Sequence, residues 1–119
     1  MTNIDIWLKS FRQKWKLKEI NSIINLFAKN VEYWESPFTK ITSIKKLKKE
    51  WLNIHHQHKI VIKTKAFSSQ DNNHTVLWDL RYQDTSSQKH HFKGVYLISL
   101  NTANRCTYFL QISDKVNER

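Results

Sequence analysis

Glu35 stands in the stretch NVEYWESPF, residues 30–38, two positions before Pro37 and among aromatic side chains. A carboxylate so placed can serve as a general base or acid if its strand turns it into an apolar pocket, where burial raises its pKa. Strict alternation puts Val31, Tyr33 and Glu35 on one face of such a strand, and Glu32, Trp34 and Ser36 on the other. Val31 and Tyr33 make the natural core face, so Glu35 is expected at a pocket mouth. The competing expectation is a carboxylate on the rim, accepting from a backbone amide near the turn.

The other reactive side chains form weaker sets. His55, His56 and His58 lie in the run HHQH. Imidazole is a common metal ligand, but this run falls where a helix should end and a strand begin, so the rings diverge. Imidazoles at a helix C-terminus also suit the dipole. No metal site is expected there or at His90 and His91. Cys106 would need a histidine beside it to act as a nucleophile. Alternation sets it with Tyr108 and Leu110, opposite Phe109 and Gln111, and a packed thiol is expected. It has no second cysteine to pair with. Asp79 and Arg81 are two apart on one strand face, placed to pair with neighbours or across a dimer.

The elements that must position these groups follow from periodicity. Trp7, Leu8, Phe11 and Trp15 repeat at helical spacing over about 4–16. Ile20, Ile23, Ile24 and Phe27 share a face of a second helix over about 19–29, with Asn30 as its left-handed C-cap. The stretch around Glu35 is a strand closed by Ser36-Pro37. A third helix spans about 43–54, capped by Ser43, with Ile44, Leu47 and Trp51 on one stripe. After residue 57 the period becomes two. HKIVIKTKAF, TVLWDLRY, HHFKGVYLISL and RCTYFLQIS are strands separated by the polar turns SSQDNN, DTSSQ and NTAN. Helices gathered first and antiparallel strands gathered last predict an α+β fold with helices on one face of a sheet.

The 119 residues fit one domain, 1–119, able to bury a core without staples. One glycine and one proline leave no material for a glycine-rich phosphate loop or a dinucleotide fingerprint. No apolar run is long enough to span a bilayer. Acid and lysine interrupt MTNIDIWLKSF, so no signal peptide is expected and a cytoplasmic location is. The net charge of +10 admits nucleic acid or an anionic surface as partner. The lysines are spread along the chain among abundant asparagine and isoleucine, which fits a coding bias towards A and T. Lys45, Lys46, Lys48 and Lys49 lie mostly off the stripe of the third helix, and Trp51 belongs to that stripe. It is therefore buried rather than offered to a base, which argues against nucleic acid.

The order of elements, with INLFAKNVEYWESPF, the Ser43–Trp51 helix, VLWDL, GVYLISL and NRCTYF, resembles the NTF2-like superfamily. That is the cone-shaped fold of nuclear transport factor 2, and the resemblance is strongest to its SnoaL-like relatives. It covers about 4–114 and implies three N-terminal helices packed on a strongly curved antiparallel sheet, with a pocket between them. It places Phe11, Trp15, Trp51, Trp78, Leu80, Phe92, Tyr96, Phe109 and Gln111 around that pocket, and Tyr33 joins them by alternation. The superfamily holds isomerases, cyclases, dehydratases, hydrolases and binding or adaptor domains, so the fold does not select the function.

Ketosteroid isomerase chemistry is the sharpest test. It needs a carboxylate base before the proline, a helix tyrosine and a protonated acid on a later strand. Aligned on Pro37, the base position is Ser36, and one gap would bring Glu35 there; the tyrosine position is Phe11 and the acid position Tyr96. That activity in its known form is not expected.

The resemblance therefore points first to a binding domain for a compact apolar or aromatic molecule, oriented by Glu35 and Gln111. The alternative is a cofactor-independent isomerase or dehydratase, with Glu35 moving the proton and Tyr96 polarising an oxygen. A third is an adaptor working through its sheet face. A homodimer through the outer sheet face, where Val95 and Leu97 lie, is implied by the same resemblance.

Overall fold

A computed structural model describes residues 2–117. The first helix, α1 (Asn3–Lys16), is capped by Thr2, whose hydroxyl accepts from the Asp5 amide, and buries Ile4, Trp7, Leu8, Phe11 and Trp15. Its indoles also anchor it: Trp7 Nε1 donates to the Leu26 carbonyl at 3.0 Å and Trp15 Nε1 to Gln57 Oε1 at 2.9 Å. Lys18, in the left-handed region at φ 57°, turns the chain into α2 (Ile20–Ile24).

The expected helix over 19–29 is thus much shorter. Phe27 opens β1 (Phe27–Ser36), aligned with Cys106, and the Cys106 amide donates to the Leu26 carbonyl at 2.8 Å. Strand pairing has overridden the helical period, and Phe27 reaches the core from the strand instead. Asn30 lies within β1 and caps nothing. Pro37 and Phe38 turn the chain into β2 (Thr39–Ile41), a short strand that composition did not announce.

Ser43 caps α3 (Ile44–Trp51), its Oγ accepting from the Lys46 amide at 3.2 Å. Leu47 and Trp51 point inward, and the last expected turns tighten into a 3-10 segment, Leu52–His56. Ser43→Ala is expected to cost about 1 kcal/mol in urea unfolding, as the loss of an N-cap does.

The remaining chain is β3 (His58–Gln70), β4 (Asn73–Gln83), β5 (Lys89–Leu100) and β6 (Cys106–Lys115). The sheet order is β2-β1-β6-β5-β4-β3. Its pairs are antiparallel except β1 with β6, which run parallel. The expectation of a wholly antiparallel sheet is corrected there: β1 joins the later strands by pairing with β6, the last of them, in the same direction. The implied three N-terminal helices are corrected to two before β1, with α3 after the β1–β2 hairpin. The α+β class and the helices on one sheet face stand.

The concave face carries Ile62, Val76, Trp78, Leu80, Tyr96, Ile98 and Phe109 into one core with α1 and α3. Gly94 lies on this face, opposite Trp78 on β4 and Ser113 on β6. A Cβ there would stand 1.9 Å from the Ile112 carbonyl oxygen, so only glycine permits the approach of β6.

Cys106 departs from strict alternation. The β5–β6 register shifts between Ser99 and Leu100, so that Cys106 and Phe109 both turn inward and both are fully buried. The expected opposite face is corrected by this bulge; the packed thiol stands, with Sγ 3.0 Å from the Tyr108 carbonyl and its pKa pushed far up by burial.

Candidate functional site

Between α1, α3 and the concave sheet face lies a cavity of about 250 Å³. Trp15 and Trp51 supply its helical wall; Trp78, Leu80 and Phe92 supply its sheet wall. Tyr33 and Gln111 complete the set of expected pocket residues that reach it. Phe11, Tyr96 and Phe109 do not line it. They are at most 1% exposed and form the packed interior behind it, with Tyr96 stacked on Trp78 at 5.1 Å and tilted against Phe109 at 4.8 Å. These three rings occupy the core behind the cavity, so the open volume lies on the other side of Trp51 and Trp78 from them.

The wall holds residues the sequence did not single out: Ile41 from β2, Glu50 from α3, Asn53 and Ile54 from the 3-10 segment, and Gln57 just after it. Tyr82 and Ser113 extend the sheet wall. Glu50 could have been noticed as the lone acid among the lysines of the third helix, directly beside the buried Trp51. The segment 52–57 carried no comparable signal, because its place at the mouth depends on the end of α3 and on the Trp15–Gln57 bond.

Glu35 sits on this wall and is exposed: Tyr33 turns in, and Glu35 stands at the rim of the mouth. On the other face Trp34 Nε1 donates to Glu32 Oε2 at 2.8 Å. The Glu35 carboxyl is pushed above the ordinary glutamate range, first by burial and then by the charge of Glu50. A raised carboxyl keeps its proton in the folded state at a pH where the unfolded chain has released it. Stability from this group is therefore present at low pH and lost as pH rises through the folded pKa. Glu35→Gln is expected to melt slightly above the parent at neutral pH, with the gap closing by about pH 4, in thermal scans across that range.

Two polar features sit deeper. The indole N–H of Trp78 is buried without a hydrogen-bond acceptor. The indole of Trp51 is also buried and has the Tyr33 hydroxyl beside it; burial drives the Tyr33 pKa well up, so it stays a neutral phenol. Burial raises Tyr96 likewise.

Other expected groups stand apart from the cavity. His55, His56 and His58 are exposed, and among the described residues no cluster of three metal-type side chains is arranged to hold an ion. Asp79, on the convex face, accepts from His91 Nε2 at 3.0 Å and lies 3.8 Å from both Arg81 Nε and Lys93 Nζ. A separate, larger cleft at the end of the sheet is lined by Lys59, Lys89 and Lys115 and shares Tyr82 with the cone. Among the described residues no helix is long and apolar enough to cross a membrane.

No protein-family model and no curated protein matches the sequence. Solved structures do match in fold. A cyclase-like enzyme, SalBIII, described in pyran ring formation in the polyether salinomycin, superposes with a TM-score of 0.80 at 13% identity, over 94% of this chain and 90% of that one. Δ5-3-ketosteroid isomerase from Mycobacterium sp. gives 0.79 at 10% identity, over 98% and 100%. A Mycobacterium tuberculosis protein in complex with estradiol-17β-hemisuccinate gives 0.77 at 14% identity, over 93% of each chain. The chain has the NTF2-like fold.

Proposed function

We propose that the protein binds a compact apolar or aromatic small molecule in the cone. The observation that carries this is the cavity itself: about 250 Å³, with three tryptophans on its wall and polar groups, Glu35, Glu50, Asn53, Gln57, Gln111 and Ser113, interspersed among them. Aromatic walls with convergent polar groups are usual in a ligand site, and this volume sits just below the roughly 300 Å³ at which drug-sized pockets begin. The ligand is accordingly one or two rings in size. Two proteins of the same fold, the M. tuberculosis protein and a computationally designed 17-OHP binder, lend support by hosting ligands of their own.

Tryptophan fluorescence tests the proposal, since Trp15, Trp51 and Trp78 would all sense an occupant. A panel of one- and two-ring compounds is expected to give saturable quenching or blue shift with at least one member. A flat response across the panel would count against the site.

The enzyme alternative has one observation in its favour, the raised Glu35 carboxyl at the mouth, suited to moving a proton. In that case Tyr96, behind Trp78, is not the group that polarises the substrate oxygen; Gln111 or Tyr33 takes the role. Glu35→Gln abolishing turnover while binding persists would select this alternative. The adaptor alternative required a cone filled by its own side chains, and the cavity speaks against it. For a partner we propose a second copy of the chain on the convex sheet face, where Val61, Leu77, Leu97 and Ile112 are exposed. Sedimentation velocity distinguishes one chain from two.

A further inference from the structure

The charges on the cavity wall allow the ligand's class to be named, on the premise that the cone binds a small molecule as proposed above. Among the described residues two charged side chains line the cavity, Glu35 and Glu50, and both are acidic. The chain carries 20 lysines and arginines against 10 aspartates and glutamates, so composition alone would favour a basic wall. Neither glutamate forms an ion pair among the described residues. Lys46, Lys48 and Lys49 flank Glu50 on α3, but none of them lines the cavity. The two carboxylates therefore sit on one wall, the charge of Glu50 acting on Glu35, with no cationic side chain among the described residues lining the cavity between them.

The wall around them is aromatic. Trp15, Trp51, Trp78, Tyr82 and Phe92 present rings to the same volume. Ring faces attract cations, tryptophan most strongly, and the attraction grows when the cation is desolvated. Trp78, more than nine-tenths buried, adds an indole N–H group that lacks an acceptor. Such a donor suits a ligand whose ring body carries an oxygen or other acceptor. An anionic ligand would add a third negative charge to the mouth, and a neutral one would leave the repulsion in place. A cation removes it.

We infer that the cone takes an organic cation: a one- or two-ring amine whose ring system lies among the tryptophans and whose ammonium group lies at the mouth against Glu35 and Glu50.

Isothermal titration with three probes of one shape tests this: 1-naphthylmethylamine, 1-naphthylmethanol and 1-naphthoate, at neutral pH and moderate salt. The amine is expected to bind about tenfold tighter than the alcohol, and the carboxylate weakest. In the double variant Glu35→Gln/Glu50→Gln the amine is expected to lose its advantage over the alcohol. Both positions sit at the mouth rather than in the packed interior, and circular dichroism verifies that the variant is folded; the single variants serve if it is not. An alcohol that binds as tightly as the amine overturns the inference and leaves the binding site standing. An amine preference that survives in the double variant overturns it too, by placing the amine elsewhere. If none of the three binds, the binding proposal fails and the inference with it.

Discussion

Gly94→Ala is expected to be among the most destabilising single substitutions in the protein. The added methyl would stand 1.9 Å from the Ile112 carbonyl oxygen and 2.9 Å from its carbonyl carbon, far inside contact distance. Both atoms are backbone, so no rotamer change relieves the clash. β5 and β6 must separate, and Tyr96, two residues along β5, is a central member of the core. A distortion of this kind belongs with the severe substitutions, at about 3 kcal/mol or more. Against a total stability of roughly 5–15 kcal/mol, that is a drop of roughly 10–20 °C in melting temperature. A melt by circular dichroism reads it directly. A variant melting within a few degrees of the parent would mean that β6 can retreat freely and that Gly94 does not set the curvature.

Phe11→Ala is the second large effect, expected at about 3–5 kcal/mol. Phe11 is fully buried and touches five rings: Trp7 at 5.0 Å, Trp15 and Trp51 each at 5.5 Å, Tyr96 at 6.0 Å and Phe109 at 6.2 Å. It joins the helical wall to the sheet wall, so truncation leaves a void that none of its neighbours can fill alone. Phe11→Leu keeps most of the volume and is expected to cost well under half as much. Urea unfolding of the two variants separates packing from a general intolerance at the position; equal losses would argue that the aromatic contacts, rather than filled volume, hold the cone together.

The roles of these two residues explain what was legible in the sequence. Phe11 lies in a helical stripe with Trp7 and Trp15, and such periodicity survives folding because one face of α1 meets one core. The strands from His58 onward were legible for the same reason, each alternating toward a single concave face. Gly94 was not: a lone glycine in a strand announces nothing until the partner strand that approaches it is known. The boundary between α2 and β1 failed because Ile20, Ile23, Ile24 and Phe27 satisfy a helical period by coincidence, while the pairing of Phe27 with Cys106 spans most of the chain. β2 was too short, at three residues, to show a period.

The candidate site was partly legible. Trp15, Trp51 and Trp78 reached the wall because large rings on core-facing stripes have few other places to go. Phe11, Tyr96 and Phe109 went deeper, because alternation reports which face a side chain takes and not how far down the cone it lies. Glu50 escaped notice because a charged residue on a lysine-rich helix suggests a solvated face. Its value lies in its charge acting on Glu35, a relation between α3 and β1 that only the tertiary fold creates.

The central claim is that the cone holds a small molecule, and a crystal structure of protein purified from its own host tests it most directly. The account predicts density between the tryptophan walls, reaching Glu35 and Gln111 at the mouth. A cone closed by Trp51, Trp78 and Phe92 collapsing onto one another, with Glu35 turned to solvent, would contradict it.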